Sequence, residues 1–295
     1  MEGMDVRRLR MLLELSRLGS MHEVADALGT TTSSVSQGIA ALARDVGSAL
    51  LEPDGRRVRL TPAGRRLADH AVTILAAVEA ARLDLDPTAE PAGVVRVAGF
   101  ASAIRRSLLP AIDDLRSTHP RIEVRIHEYE PLESLDLLAR DDVDLALVYD
   151  YDLAPAEWRD DHVVSPLWDL EWGIGVPTAD RHLELADLAD RDWIVNSRHT
   201  ADEDALRTLA SRAGFVPHVV HRIDSLELVD DLVVAGRGVA LLPRGRSSRR
   251  GVSVVRLRDP EVRMRAYAVT RRGRGGWPPL RAVTDRLVIA APRRP

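Results

Sequence analysis

Residues 20–45, SMHEVADALGTTTSSVSQGIAALARD, predict two short helices joined by a tight turn. Ser20 is followed three residues later by Glu23, and in this capping-box spacing each side chain bonds a backbone N–H at the start of a helix. Gly29 is placed to end that helix, because glycine adopts left-handed backbone conformations without strain. Thr31 is placed to cap the second helix. This order of elements is typical of a helix-turn-helix.

The second helix of this pair has two different faces. Val35, Ile39 and Leu42 follow the i, i+4, i+7 spacing of a buried stripe. The opposite face carries short hydroxyl and amide side chains, which are groups that read base edges in the major groove of DNA. Helix capping is the alternative role for the hydroxyl groups, above all for Thr31.

An arginine-tipped hairpin is predicted after the second helix. The dipeptide Asp54-Gly55 stands between short apolar stretches and favours a hairpin turn. Residues 56–66 contain five arginines and no acid, although the whole chain has a net charge of −4, and all 41 of its basic residues are arginine. On a wing these arginines would contact phosphate or enter a minor groove, whereas a solvated surface is the alternative. The predicted DNA contacts are Thr31, Thr32, Ser33, Ser34, Ser36, Gln37, Arg56, Arg57 and Arg59.

A long amphipathic helix is predicted to begin at Thr61-Pro62, with threonine as the cap and proline at the first helical position. Its apolar stripe must be covered, either by the core of the same chain or by a helix of a partner. The stripe consists of Leu67, Ala71, Ile74, Leu75, Val78, Ala81 and Leu85, and its first five members are the predicted dimer contacts. Residues 86–91 (DPTAEP) predict a linker.

From residue 92 onward, strands and helices alternate in two rounds, which predicts α/β units with right-handed crossovers. The first round has strands at 94–97, 122–126 and 143–148 with helices at 104–118 and 131–140. The second has strands at 172–176, 193–195 and 238–243 with a helix at 202–213. Two rounds predict two lobes with a cleft between them. The expected domains are 1–62, 63–91 and 92–295, the last with lobe I at 92–165 and 269–295 and lobe II at 166–268.

Many positions of the first sixty residues resemble the N-terminal region of LysR-type transcriptional regulators. The matching segments are Gly19-Ser20, VADAL (24–28), SSVSQGIAAL (33–42), GSALL (47–51) and RRVRLTPAG (56–64), with looser matches at LLP (108–110), HP (119–120), DLA (144–146) and GRGVALLP (236–243). The resemblance implies an N-terminal winged helix-turn-helix, a dimerising linker helix and a two-lobed α/β effector domain similar to periplasmic binding proteins. It implies a homodimer or homotetramer that binds promoter DNA and responds to a small-molecule effector.

The chain departs from the family pattern at several positions near the predicted DNA face, namely Thr32, Gln37, Ala43, Leu51 and Pro53. Pro53 stands where the family commonly has an arginine that holds the DNA backbone. Each phosphate contact that is lost lowers the salt slope of binding by about one and weakens binding to every sequence alike. From these departures as a whole we also expect an unusual operator sequence.

In two-lobed α/β domains, ligands bind at the carboxyl ends of the strands. Ser102 matches the family position that commonly donates to an effector anion, although capping of the next helix is its alternative role. Arg198 favours an anionic ligand unless it pairs with Asp202 or Glu203, whereas Glu130 and Asp150 favour a cationic or hydroxylated one. The charge of the ligand therefore stays open. The candidate effector residues are Ala101, Ser102, Ala103, Tyr129, Glu130, Tyr149, Asn196, Ser197, Arg198 and Thr200.

Other classes of protein fit the sequence less well. No HExxH, GxSxG, Walker or GxGxxG pattern occurs in a suitable context, and the sequence contains no cysteine, so we expect no catalytic residue, cofactor or metal. His218 and His221 lack carboxylates at ligand spacing. A solute-binding protein would need export, but the N-terminal residues mix charges into their apolar run, and no apolar run reaches the roughly 18–20 residues that span a bilayer. We therefore expect a cytoplasmic regulator without a membrane partner, and a DNA-binding protein without ligand response is the remaining alternative.

Overall fold

The computed structural model describes residues 4–54, 57–86, 89–196 and 201–290. Its N-terminal part contains three helices, a two-stranded hairpin and a long helix, in the predicted order. These elements are α1 (Val6–Leu18), α2 (Met21–Ala27), α3 (Thr32–Val46), β1 (Leu51–Asp54), β2 (Arg57–Leu60) and α4 (Pro62–Leu85). None of the helices in the described ranges has the length and apolar character needed to cross a membrane.

Side-chain caps define the helix starts of this part. Thr31 Oγ1 accepts a hydrogen bond from the Ser34 backbone N–H at 3.1 Å, so the predicted cap of α3 is confirmed. Ser20 Oγ accepts from the Glu23 backbone N–H at 3.5 Å, which is the first half of the predicted capping box. Gly19, at φ +67°, ends α1 in the left-handed conformation that glycine adopts readily.

The inner face of α4 is covered within the chain. Ala68, Ala71, Val72 and Leu75 are buried in a core that they share with α1 and with the apolar stripe of α3. The first turn of α4 lies directly on the hairpin, because the Thr61 backbone N–H donates to the Leu50 carbonyl oxygen at 3.0 Å. The orientation of the long helix is therefore set by the N-terminal core itself.

The second part of the chain is built on a mixed sheet of nine strands within the described residues. The strands are β3 (Gly93–Gly99), β4 (Ile122–Glu128), β5 (Leu145–Tyr151), β6 (His162–Pro177), β7 (Asp192–Val195), β8 (His218–Arg222), β9 (Val239–Pro243), β10 (Val252–Arg256) and β11 (Val262–Arg271). Their order is β4-β3-β5-β11-β6-β9-β7-β8, with β10 paired to β6. The pairs of β3 with β4 and β5, and of β7 with β8 and β9, are parallel, as βαβ units require.

The two long strands β6 and β11 run antiparallel to each other through the centre of this sheet. The predicted lobe boundaries near residues 166 and 269 fall inside them, so the sheet is continuous from one lobe to the other. The strand predicted at 172–176 is only the second half of β6, because the first half carries Ser165, Pro166 and Asp169 and lacks a continuous apolar run.

Helices flank both halves of the sheet. They are α5 (Ala101–Ala103), a π-helical segment (Ile104–Leu108), α6 (Leu109–Thr118), α7 (Pro131–Ala139), α8 (Ala201–Arg212), α9 (Leu226–Val234) and α10 (Pro278–Ala290). The single helix predicted at 104–118 is thus three successive segments that begin at residue 101. A π turn inside an α-helix is frequent at functional sites.

The first turn of α4 leaves no space for a side chain at Gly64, because a Cβ there would overlap the Leu50 carbonyl oxygen. We expect Gly64→Ala to lower the free energy of unfolding of the N-terminal domain by about 1–3 kcal/mol, since the hairpin or the helix must shift. Urea denaturation followed by circular dichroism measures the loss. Gly276→Ala is the control, because nothing lies within 4 Å of the added Cβ. Equal stability of the two variants would contradict the close packing.

Candidate nucleic-acid interface and effector cavity

The two faces of α3 differ sharply in exposure. Val35, Ile39 and Leu42 are at most 1% exposed, whereas Thr32, Ser33, Ser36 and Gln37 are all exposed. The Gln37 Nε2 lies 3.4 Å from Ser33 Oγ, so these two side chains lie next to each other on the outer face. The arrangement presents a continuous surface of hydroxyl and amide groups to solvent.

Thr31 and Ser34 have a structural role at the start of α3. Their hydroxyl oxygens are 2.8 Å apart, and Thr31 also accepts the Ser34 backbone N–H. The capping alternative for Thr31 is therefore observed.

The hairpin of β1 and β2 has the register of a two-residue turn, with Asp54 opposite Arg57. The Arg59 side chain is 62% exposed and pairs with Glu52 at 2.8 Å. An exposed pair of this kind contributes little stability, so a phosphate can replace the carboxylate at small cost. Arg56 lies outside the described residues.

A cavity of about 370 Å³ lies at the carboxyl ends of the strands of the second domain, where both halves of the sheet contribute residues. Of the ten candidate effector residues, five line this cavity: Ala101, Ser102, Glu130, Tyr149 and Asn196. Phe100 occupies the N-cap position of α5 and makes no side-chain capping hydrogen bond. Ser102 is therefore not the cap of that helix.

Several other candidates lie elsewhere. Ala103 is fully buried in the core beneath the cavity, and Tyr129 is exposed and stacks on His127. Asp150 is also away from the cavity, because its carboxylate accepts both Arg265 Nε and Arg265 Nη2 at 2.8 Å on the opposite face of β5. Ser197, Arg198 and Thr200 lie outside the described residues.

A hydrogen-bonded cluster joins the two halves of the sheet at the cavity. The Tyr149 hydroxyl lies 2.7 Å from Asp202 and 2.9 Å from Glu130, and the Tyr151 hydroxyl donates to Asp202 at 2.5 Å. A phenol has one proton, so Tyr149 cannot donate to both carboxylates at once. One of its two short contacts therefore requires a proton on the carboxyl group.

Glu130 is the acid of this cluster whose pKa is raised toward neutral pH. The pKa of Glu130 is raised to about 7, chiefly by burial and also by the nearby charges of Asp202 and Asp224, against the opposing effect of the Tyr149 hydrogen bond. Burial, followed by the charge of Asp202, also raises the pKa of Tyr149 and of Tyr151. Both phenols are therefore hydrogen-bond donors at neutral pH.

Further acidic residues of the cavity escaped the sequence analysis. They are Glu128, Asp202, Asp224 and Glu227, beside a single described arginine, Arg105. Glu128 is the last residue of β4, and Asp224 follows β8 directly before the Ser225 cap of α9. The rule that sites form where strands end would have found Asp224 if β8 had been assigned as a strand, and Glu128 if β4 had been extended from residue 126 to residue 128.

His218 and His221 both lie on β8. His218 Nδ1 lies 2.9 Å from Asp192 Oδ1 at the exposed edge of the sheet. Within the described ranges, no three side chains of His, Asp or Glu come together as metal ligands.

Family models match both parts of the chain. Residues 6–65 match the model described as bacterial regulatory helix-turn-helix protein, lysR family, and residues 88–291 match the model described as LysR substrate binding domain. The chain belongs to the LysR family. It is a transcriptional regulator with a DNA-binding domain and an effector-binding domain, and it is not an enzyme.

Curated relatives of this LysR regulator are themselves transcriptional regulators. The transcriptional dual regulator GltC of Bacillus subtilis is 27% identical over 248 residues, which cover 81% of each chain. The DNA-binding transcriptional dual regulator OxyR of Escherichia coli is 28% identical over 300 residues, which cover 97% of this chain and 94% of that one. Full-length OxyR from Pseudomonas aeruginosa is a solved structure with the same fold, at a TM-score of 0.73 and 20% identity over 100% of both chains.

The buried carboxyl group of Glu130 predicts a pH-dependent effect on stability. Its folded-state pKa of about 7 lies above the ordinary value of 4.5, so the folded state binds the proton more tightly. The contribution of this group to stability therefore falls as pH rises from about 5 to 8. Glutamine stays neutral at every pH. We therefore expect the free energy of unfolding of Glu130→Gln, relative to that of the parent protein, to rise by about 1–3 kcal/mol across that range.

Urea denaturation at pH 5 and pH 8 measures this difference. The exposed Glu157 provides the control variant Glu157→Gln, which should follow the parent protein at both values. If the difference in free energy of unfolding between Glu130→Gln and the parent protein is the same at pH 5 and pH 8, Glu130 titrates in its ordinary range.

Proposed function

We propose that the outer face of α3 reads base edges of a promoter while the hairpin arginines hold the phosphate backbone. The observation that carries this proposal is the exposure of Ser33, Ser36 and Gln37 on a helix whose opposite face is fully buried. Gln37 can pair with N6 and N7 of adenine, and serine hydroxyls bond to several bases. Thr31 and Ser34 form the cap from which the reading helix starts, and Thr32, Arg56, Arg57 and Arg59 complete the proposed interface.

A gel shift against the DNA upstream of the chain's own gene, over a salt series, tests this proposal. We expect affinity to fall steeply with salt, because phosphate contacts release counterions. The double variant Ser36→Ala with Gln37→Ala should change sequence preference, at roughly 1–3 kcal/mol for each base pair misread. Arg57→Ala should weaken binding to every sequence alike and lower the salt slope by about one.

The matched control is Arg212→Ala, an exposed arginine of the effector domain, which should leave binding unchanged. If the Ser36→Ala, Gln37→Ala double variant and Arg57→Ala change binding in the same way, the assignment of base contacts to α3 and phosphate contacts to the hairpin is wrong. Affinity that depends on neither salt nor sequence would overturn promoter binding as a whole.

A second copy of the chain supplies the second half-site in this proposal. A single winged domain buries too little surface for tight specific binding, so a homodimer, or a homotetramer of two dimers, is required. Ala71 and Leu75 are buried within the chain, so they face its own core rather than a partner. Leu67, Ile74 and Val78 are only half-buried and remain the proposed contacts along α4.

Charged substitutions at the half-buried positions of α4 test the dimer contact. We expect Ile74→Glu and Val78→Glu to reduce the particle mass measured by light scattering, because a desolvated charge opposes association. Asp84→Asn, at an exposed position of the same helix, is the control. An unchanged mass for both glutamate variants would place the interface elsewhere.

The cavity is the proposed effector site. It lies where both halves of the sheet meet, and the hydrogen bonds of Tyr149 and Tyr151 to Asp202 cross between them, so a ligand there alters how the halves are held together. Several relatives are hydrogen peroxide-inducible genes activators. The sequence of this chain contains no cysteine, so its signal is bound without thiol oxidation. We place this activity in the cytoplasm, where promoter DNA is accessible.

A further inference from the structure

We propose that the effector is a small organic cation, an amine or guanidinium compound with an apolar portion. This inference rests on the effector role proposed for the cavity and names the chemistry of its ligand. It is carried by the charges, the acceptor groups and the apolar lining of the cavity.

Negative charge dominates the lining. Among the described residues, five acidic side chains line the cavity beside one guanidinium: Glu128, Glu130, Asp202, Asp224 and Glu227 against Arg105. Arg105 already pairs with Glu227 at 3.5 Å. Even without Glu130, four of these acidic side chains remain beside this one guanidinium among the described residues. A cleft lined by one sign of charge concentrates ligands of the opposite sign.

One buried acceptor of the lining also calls for a donor. The Asn196 Oδ1 is buried and has no hydrogen-bond partner among the described residues, while its Nδ2 lies 3.4 Å from the Tyr149 hydroxyl. An unsatisfied buried acceptor is costly, and an ammonium or guanidinium group supplies donors alone. The ligand group that satisfies Asn196 is therefore the same group that the carboxylates attract.

The remaining lining selects an organic cation rather than a metal ion. Phe100, Trp172, Leu206 and Ile223 line the same cavity, and aromatic faces attract organic cations. The volume of about 370 Å³ suits a molecule with a carbon skeleton. No trio of His, Asp or Glu in the described ranges is arranged to hold a metal.

The raised pKa of the Glu130 carboxyl group is consistent with a cationic ligand. Burial raises the pKa of this carboxyl group to about 7, so the protonated and ionised forms coexist at neutral pH, beside the Tyr149 hydroxyl and near Asp202 and Asp224. A cation bound in the cavity lowers the pKa of this carboxyl group, so Glu130 releases its proton when the ligand binds. In the absence of ligand, the proton on Glu130 reduces the repulsion among the neighbouring acids.

Calorimetric titration of the full chain with two charge-reversed pairs of probes tests the inference. The pairs are phenethylamine with 3-phenylpropionate and 1,4-diaminobutane with adipate, each matched in carbon skeleton. We expect at least one amine to bind at least about tenfold more tightly than its carboxylate partner. Glu130→Gln and Asp224→Asn should each weaken that amine by about tenfold, and Glu157→Gln should not.

Two cavity-filling variants, Ser102→Trp and Ala101→Phe, separate the possible failures. If a carboxylate binds more tightly than its amine, or neither amine binds, the cationic ligand is refuted. If that carboxylate is lost in the filled variants, the cavity remains the effector site. If an amine binds equally well to both filled variants, the site itself is refuted. An amine that binds in the cavity without changing the promoter gel shift supports the ligand class and refutes effector control.

Discussion

The burial of one stripe of α3 is the constraint on which the DNA-facing surface depends. Val35, Ile39 and Leu42 are held in the core that α1 and α4 complete. Because a helix is rigid, fixing one face of α3 fixes the position of every side chain on the other. The departures from the family pattern at Thr32 and Gln37 lie on the exposed face and leave this stripe unchanged, so they alter the proposed reading surface without altering how the helix is held, whereas Ala43 packs against the core. Fold and reading surface can therefore vary independently.

The effector cavity depends on a different constraint, the alternation of side chains along β5. Tyr149 and Tyr151 point to one side of this strand and Asp150 to the other. The two phenols place Asp202 of the opposite half at the cavity, whereas Asp150 is neutralised by Arg265. One strand thus supplies both an inter-lobe bond and a structural ion pair.

The sequence predicts local features of this chain well and distant pairings poorly. The caps at Thr31 and Thr61, the hairpin at Asp54 and the buried stripe of α3 are encoded within a few residues of each other, and the structure has all of them. The error at Asp150 arose because β5 continues past residue 148 to Tyr151, and parity along a strand decides the side on which a residue lies. Asp202 and Asp224 reach the cavity through the packing of α8 and α9, which depends on contacts far apart in sequence.

Strand β11 connects the two functional parts of the molecule. Met264, near its start, lines the cavity, and Arg271, at its end, pairs with Asp69 of α4 at 2.6 Å. The seven residue steps from Met264 to Arg271 span roughly 23 Å of extended backbone, with a register shift between Ala266 and Tyr267. The strand therefore joins the proposed effector cavity to α4, the helix that shares a core with α3. A single β-strand thus provides a direct path, covalent as far as the ion pair of Arg271 with Asp69, from the proposed effector site to the long helix that packs with the DNA-binding domain.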